Sequence, residues 1–242
     1  MDIVDALDAA GGTTCLVGAG GKKTTLYALA DRIDRAVVTA TVRIPIFDRH
    51  VAEVVVTDDP ADAVRTADRW PLGLVPERER EDRYPGYDPE TITAIAAADA
   101  ADAVLVKADG ARTREFKAPN DQEPQVPPSA DTVVPVASAH AVGKPLTSEY
   151  VHRPERVAAI TGRDEGDEIR PVDVAAVLAS DDGGMQGVPD GARAIPLINK
   201  VDDEELAAVA GDIAAEVLAR SDVPKVVLAR MADPDPLVAV EE

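Results

Sequence analysis

Short apolar runs rich in Val, Ile, Leu and Thr recur along the chain at 13–17, 36–42, 51–57, 101–109, 131–137, 192–199 and 225–229. Between them lie segments with helical spacing of apolar residues, at 23–34, 60–68, 89–98, 154–161, 171–180 and 203–220. Strand and helix alternating in this way predict βαβ units around a mainly parallel sheet. Several runs are apolar at consecutive positions, as strands covered on both faces must be. The expected fold is α/β, a three-layer α/β/α P-loop-type domain with a mainly parallel sheet. Pro60, Pro89, Pro154 and Pro171 fall in or beside a first helical turn, where the missing N–H costs nothing.

Two segments resist this pattern, the charged stretch 76–82 and the Pro-rich stretch 110–128. Loops that long inside a compact domain serve as lids or stay disordered. With 242 residues, 45% of them hydrophobic, the chain can bury one substantial core. A single nucleotide-binding domain over 1–242, with a long inserted loop at about 110–128, is therefore expected.

The first candidate chemistry is the run LVGAGGKKTTLYALA at 16–30. Gly18, Gly20 and Gly21 allow backbone N–H groups to curl into an anion-binding nest, and the following helix adds its N-terminal partial charge. Lys22 supplies a full charge for β- and γ-phosphates, and Thr24 or Thr25 a hydroxyl for Mg²⁺. The spacing Gly18-x-x-Gly21-Lys22 is compressed, and Lys23 stands where the hydroxyl is usual. The register of lysine and metal ligand is open by one residue.

Asn199-Lys200-Val201-Asp202 follows an apolar run, so it is expected at the carboxyl end of a strand, where open α/β sheets bind ligands. Asp202 there can accept from guanine's ring N–H and amine, Asn199 can reach the base edge, and the Lys200 stem can cover its face. The pattern favours GTP over ATP. The plainer alternative is a turn that caps the next helix. Asp109 ends another strand run before Gly110, where nucleotide hydrolases place Mg²⁺. Asp109 and Lys22 are the expected catalytic pair, and Thr24 and Asp109 the expected metal ligands. Thr39 or Thr41 offers a further hydroxyl, and either is equally at home as a strand residue.

Arg112, Arg114 and Lys117 form a basic cluster that can move toward phosphate charge, or else make a solvated loop or docking surface. His140, Lys144, His152 and Arg153 are weaker pocket candidates. Acidic residues outnumber basic ones by 45 to 25, a formal charge of −20, which argues against nucleic acid or an anionic membrane as partner. Spread along the chain, that excess suggests a high-salt cytoplasm. Cys15 is the one cysteine, so an intramolecular disulfide and a cysteine metal cage are excluded. No apolar stretch approaches a membrane span and no signal-peptide pattern opens the chain, so a cytoplasmic protein is expected.

The stretches VGAGGKKTTLYALA, VKADGARTREFKAPNDQEP, VGKPL, VHRPE, GMQGVPDGAR and LINKVD, in order over 17–202, resemble the YqeC family. That resemblance implies a nucleotide-binding accessory protein for selenium-dependent molybdenum hydroxylases, assisting a labile selenium or sulfur ligand at the molybdenum cofactor. Lys23, Arg43 and Lys107 depart from the family's usual pattern. The leading expectation is a GTP-binding protein with slow hydrolysis, using Mg²⁺ and docking to a molybdenum hydroxylase or cofactor-handling enzyme. An ATP-dependent small-molecule kinase or ligase, and a nucleotide-binding scaffold without turnover, are the alternatives.

Overall fold

The alternation of strand and helix builds one ten-stranded sheet in the computed structural model, which describes residues 1–242. Its strands and the small pairings around it are β1 (Gly12–Gly18), β2 (Ala36–Ala40), β3 (Ile44–Pro45), β4 (Glu53–Val56), β5 (Leu72–Val75), β6 (Arg83–Tyr84), β7 (Ala103–Lys107), β8 (Phe116–Lys117), β9 (Thr132–Ser138), β10 (Val151–His152), β11 (Arg193–Ala194), β12 (Leu197–Asn199), β13 (Val226–Ala229) and β14 (Leu237–Glu241). The helices are α1 (Ile3–Ala6), α2 (Lys22–Ala30), α3 (Pro60–Thr66), α4 (Pro89–Ala97), α5 (Pro154–Thr161), α6 (Pro171–Leu178) and α7 (Glu204–Arg220). Across the large sheet the order is β14-β13-β12-β9-β1-β7-β2-β5-β4, with β11 beside β9. Only the β13–β14 pair is antiparallel.

Strand residues alternate between two cores, as the pleat requires. Leu16, Val38, Leu105 and Val134 turn to one face and pack with Leu26 and Leu29 of α2. Cys15, Val37, Val104 and Val133 turn to the other and meet Val64 of α3 with Ile92 and Ile95 of α4. Further along that second face, Ala137, Ile198 and Leu228 pack against Val174 of α6 with Ile213 and Val217 of α7. Helices thus cover both faces of a mainly parallel sheet, the three-layer α/β/α arrangement.

The chain leaves β1 through α2 toward β2 on one side, while β9 lies on β1's other side. The order reverses at β1, and the crevice beyond the carboxyl ends of β1, β7 and β9 is where such sheets take ligands. Gly18, Asp109 and Ser138 all sit at that rim.

Several boundaries differ from the sequence reading. Helix α2 stops at Ala30, four residues before the expected end. β5 and β14 were not expected: β5 is four residues with Gly73 inside it, and β14 is an antiparallel edge strand. The 110–128 stretch carries β8, which pairs with β10, and it buries Phe116 and Ala118 in the α6–α7 core. Residues 116–119 form its packed middle, while Arg112 and Thr113 before them and Asp121 and Gln122 after them are exposed. No helix is long and apolar enough to cross a membrane.

Candidate functional site

The turn from β1 into α2 needs its glycines. Gly18 has φ +88 and Gly20 φ +86, and a side chain on Gly20 would come within 2.6 Å of the Ser138 amide and 2.8 Å of the Glu115 carbonyl. The turn's first amides are already engaged: Gly18 N–H donates to Asp109 Oδ2 at 2.8 Å, Ala19 N–H to Val136 O at 2.8 Å, and Gly20 N–H to Arg114 O at 3.1 Å. Anion-binding capacity therefore passes to the first turn of α2, where Lys22, Lys23 and Thr24 have no carbonyl four residues back within the helix. Thr24 faces solvent there, whereas Thr25 is buried with its hydroxyl donating to Gly21 O at 3.2 Å.

Beneath this turn lies a buried charge network. Asp109, 1% exposed, has Oδ1 2.7 Å from Lys22 Nζ and Oδ2 2.8 Å from Lys117 Nζ. Lys22 also donates to Gly18 O. Lys117 continues to Glu123 at 2.9 Å, which in turn accepts from Arg153 at 2.8 Å. Burial alone would raise the Asp109 pKa, but the two ammonium groups outweigh it and hold the carboxyl below its usual range.

Lys107 has no such carboxylate. It is 6% exposed, and its ammonium donates to Arg43 O at 3.0 Å and Asp109 O at 2.7 Å. Desolvation, with repulsion from Lys22, lowers its pKa to about 7. His152 is lowered to about 4 by burial and by the neighbouring Arg153, Lys117 and Arg112, so it is neutral at pH 7. Cys15 is buried in β1, and burial with Asp131 nearby pushes its thiol well above the usual range. Neither residue is a ready nucleophile.

A cleft of about 670 Å³ opens over the first turn of α2. Its lining holds seven cationic side chains, Lys22, Lys23, Arg43, Arg83, Lys107, Arg112 and Arg114, and one acid, Glu123. The expected residues Gly20, Gly21, Lys22, Lys23 and Thr24 line it together, with Gly18 and Asp109 just below. Lys23, Arg43 and Lys107, the departures noted in the sequence, share this one cleft. Sequence reading did not single out Arg83 or Glu123. Arg83 comes from the small β3–β6 pairing and Glu123 from the folded 110–128 wall, so neither has a local signal.

The Asn199–Asp202 stretch divides. Asn199 is buried and clamps two loops, donating from Nδ2 to Gly20 O at 2.9 Å and accepting the Met231 N–H at 3.0 Å. Lys200 pairs with Glu115 at 2.6 Å. Asp202, 53% exposed on its side chain, lies 2.9 Å from His140 Nε2 and does not line the cleft. The Thr39 hydroxyl donates to Leu74 O at 2.9 Å and that of Thr41 to Gln125 O at 2.7 Å, so both brace the fold. Lys144 lies over the Tyr150 ring, outside the cleft.

Two outcomes follow from this geometry. Asn199→Ala strips partners from a buried carbonyl and a buried amide, and urea denaturation is expected to show a loss of about 2 to 3 kcal/mol. The folded-state pKa of Lys107 lies below its unfolded value, so the native state releases a proton that the unfolded chain keeps. Stability therefore rises with pH through the window from about 7 to 10.5. Denaturation across that window is expected to show the rise in the parent chain and a smaller one in Lys107→Met.

The family model described as YqeC protein matches residues 14–155, which span β1 to the start of α5 and so include the glycine turn, Asp109 and the folded wall. A protein of Escherichia coli (strain K12), named uncharacterized protein YqeC, is 30% identical over 191 residues, covering 76% of this chain and 74% of its own. The chain belongs to the YqeC protein family.

Proposed function

We propose that this protein binds a nucleoside triphosphate with its phosphates on the first turn of α2, and that it acts as a nucleotide-dependent accessory protein with slow hydrolysis. One observation carries the reading: seven cations and a single acid line one cleft of a chain whose formal charge is −20. Such a reversal of sign concentrates polyanions locally while the surrounding surface repels them.

In this reading the free amides of α2 meet phosphate oxygens, with Lys23 and Arg114 flanking them. Lys22 exchanges Asp109 Oδ1 for a phosphate oxygen, which is feasible because Lys117 and the Gly18 amide stay on Asp109. For Mg²⁺ as part of a nucleotide complex, the chain would offer the exposed Thr24 hydroxyl and the Asp109 Oδ1 that Lys22 gives up, Oδ2 staying with Lys117 and the Gly18 amide. No group of three or more His, Cys, Asp or Glu side chains stands ready as a cage. When bound with the phosphates, the metal would offset part of their charge. Glu123, the one acid of the lining, is held by Lys117 and Arg153, so in this reading the cleft stabilises phosphate charge without a free carboxylate to activate water. Slow turnover follows from that.

GTP is the nucleotide favoured by the Asn199–Asp202 sequence, on condition that Asp202 exchanges His140 for the base; ATP is the alternative. A molybdenum hydroxylase as client rests on the motif resemblance alone. A second reading, an ATP-dependent kinase or ligase, is favoured by cations that extend beyond the α2 turn to Arg43 and Arg83.

Calorimetric titration of the four nucleoside triphosphates, with and without Mg²⁺, tests the proposal. Micromolar, Mg²⁺-dependent binding is expected, and Lys22→Ala should weaken it at least about a hundredfold, the loss of a charge-assisted contact of roughly 3 kcal/mol. Asp202→Ala should weaken GTP and leave ATP unchanged; equal affinity for both would remove the base-reading role. No heat with any triphosphate would overturn the nucleotide reading. In single-turnover assays, triphosphate intact after hours would identify a scaffold without turnover.

A further inference from the structure

The cleft carries more positive charge than a nucleotide needs. Of its seven cations, Arg43 is paired with Glu79, Arg83 with Asp82 and Lys22 with Asp109. Lys23, Lys107, Arg112 and Arg114 have no carboxylate partner. A triphosphate with its magnesium carries a net charge of about −2. Lys107, with its pKa of about 7, carries about half a charge at neutrality, so three full cations and this one leave a surplus of about 1.5, within the range that a phosphate monoester carries there.

The surplus has a location. Lys23 belongs to the first turn of α2, and Arg114 holds the Gly20 amide through its carbonyl, so both flank the phosphate turn. Lys107 lies at the end of β7, bonded to the carbonyl of Arg43, which precedes the β3–β6 pairing. Arg112 is exposed with φ +48 on the turn that starts the folded wall. Held by carbonyls alone, the buried Lys107 gives up part of its charge near neutrality, and an anion placed beside it would restore the full ammonium. Asp109 cannot, since Lys22 and Lys117 occupy its carboxylate.

We propose that the cleft seats a second substrate beside the nucleotide, a small molecule bearing a phosphate monoester, held by Lys107 and Arg112 with Arg43 at its rim. This rests on the nucleotide reading and deepens it, because a phosphorylated acceptor next to a triphosphate is the arrangement of a group-transfer or ligase site. A dianion suits the subsite better than a carboxylate, since two unpaired cations face it.

The experiment uses the full chain saturated with Mg²⁺ and a non-hydrolysable GTP or ATP analogue, titrated with inorganic phosphate and followed by calorimetry and ³¹P NMR. Saturable phosphate binding without displacement of the analogue is expected. Arg112→Ala, an exposed substitution, and Lys107→Met should each weaken phosphate at least about tenfold, the loss of one charge-assisted contact. Analogue affinity should change less than about threefold in Arg112→Ala, which shares no partner with Lys22. Phosphate that does not bind the loaded protein, or that binds only by displacing the analogue, overturns the second subsite while the nucleotide reading stands. Acetate binding as tightly as phosphate overturns the monoester assignment. An analogue that does not bind at all brings down the underlying reading, and the second subsite with it.

Discussion

Asp109 is the charge on which this site is built. A carboxylate so fully removed from water is sustained only by partners that satisfy it, and here three converge: the Gly18 amide, Lys22 and Lys117. The same group therefore shapes the glycine turn, holds Lys22 beneath the cleft, and anchors the wall that follows it. Removing one member of such a buried set typically costs about 3 to 5 kcal/mol. The charges that stabilise the fold here also line or underlie the basic cleft, so a substitution among them acts on both.

Glu123 repeats the pattern one layer out. By holding Lys117 and Arg153 it ties the segment after Asp109 to the start of α5, where Arg153 adopts φ +67. Gln125 donates its amide to Ala108 O and accepts the Thr41 hydroxyl, closing the segment back onto β7 and β2. A stretch that reads as a lid is thus pinned at several points, and its exposed residues fall at the turn of Arg112 and Thr113 and again around Asp121 and Gln122.

The contrast between an acidic exterior and a basic cleft has a further consequence. At about 1 M salt the Debye length falls to roughly 3 Å, so repulsion of an anionic ligand by the distant surface is screened, while buried pairs keep their strength. A chain rich in exposed Asp and Glu can hold a polyanion pocket under such conditions because the attraction is short-ranged. Lys107 lines that cleft with carbonyl partners and no carboxylate of its own.

The sequence by itself determined the layer arrangement, because consecutive apolar runs at the strands and amphipathic spacing between them admit few packings other than helices on both faces of a parallel sheet. It also located the glycine turn, since Gly18, Gly20 and Gly21 occupy positive-φ positions where strand runs directly into helix. Short elements escaped it: β5, four residues with a glycine inside, and the terminal β14 are held by neighbours that lie far away in the chain. Tertiary structure alone decided the partners of the charged groups. Asn199 became a clamp between Gly20 and Met231, Asp202 turned to His140, and Arg43, Arg83 and Lys107 met around one cleft. Electrostatic energy depends on distance and burial through space, and neither quantity is written in the spacing of residues along a chain.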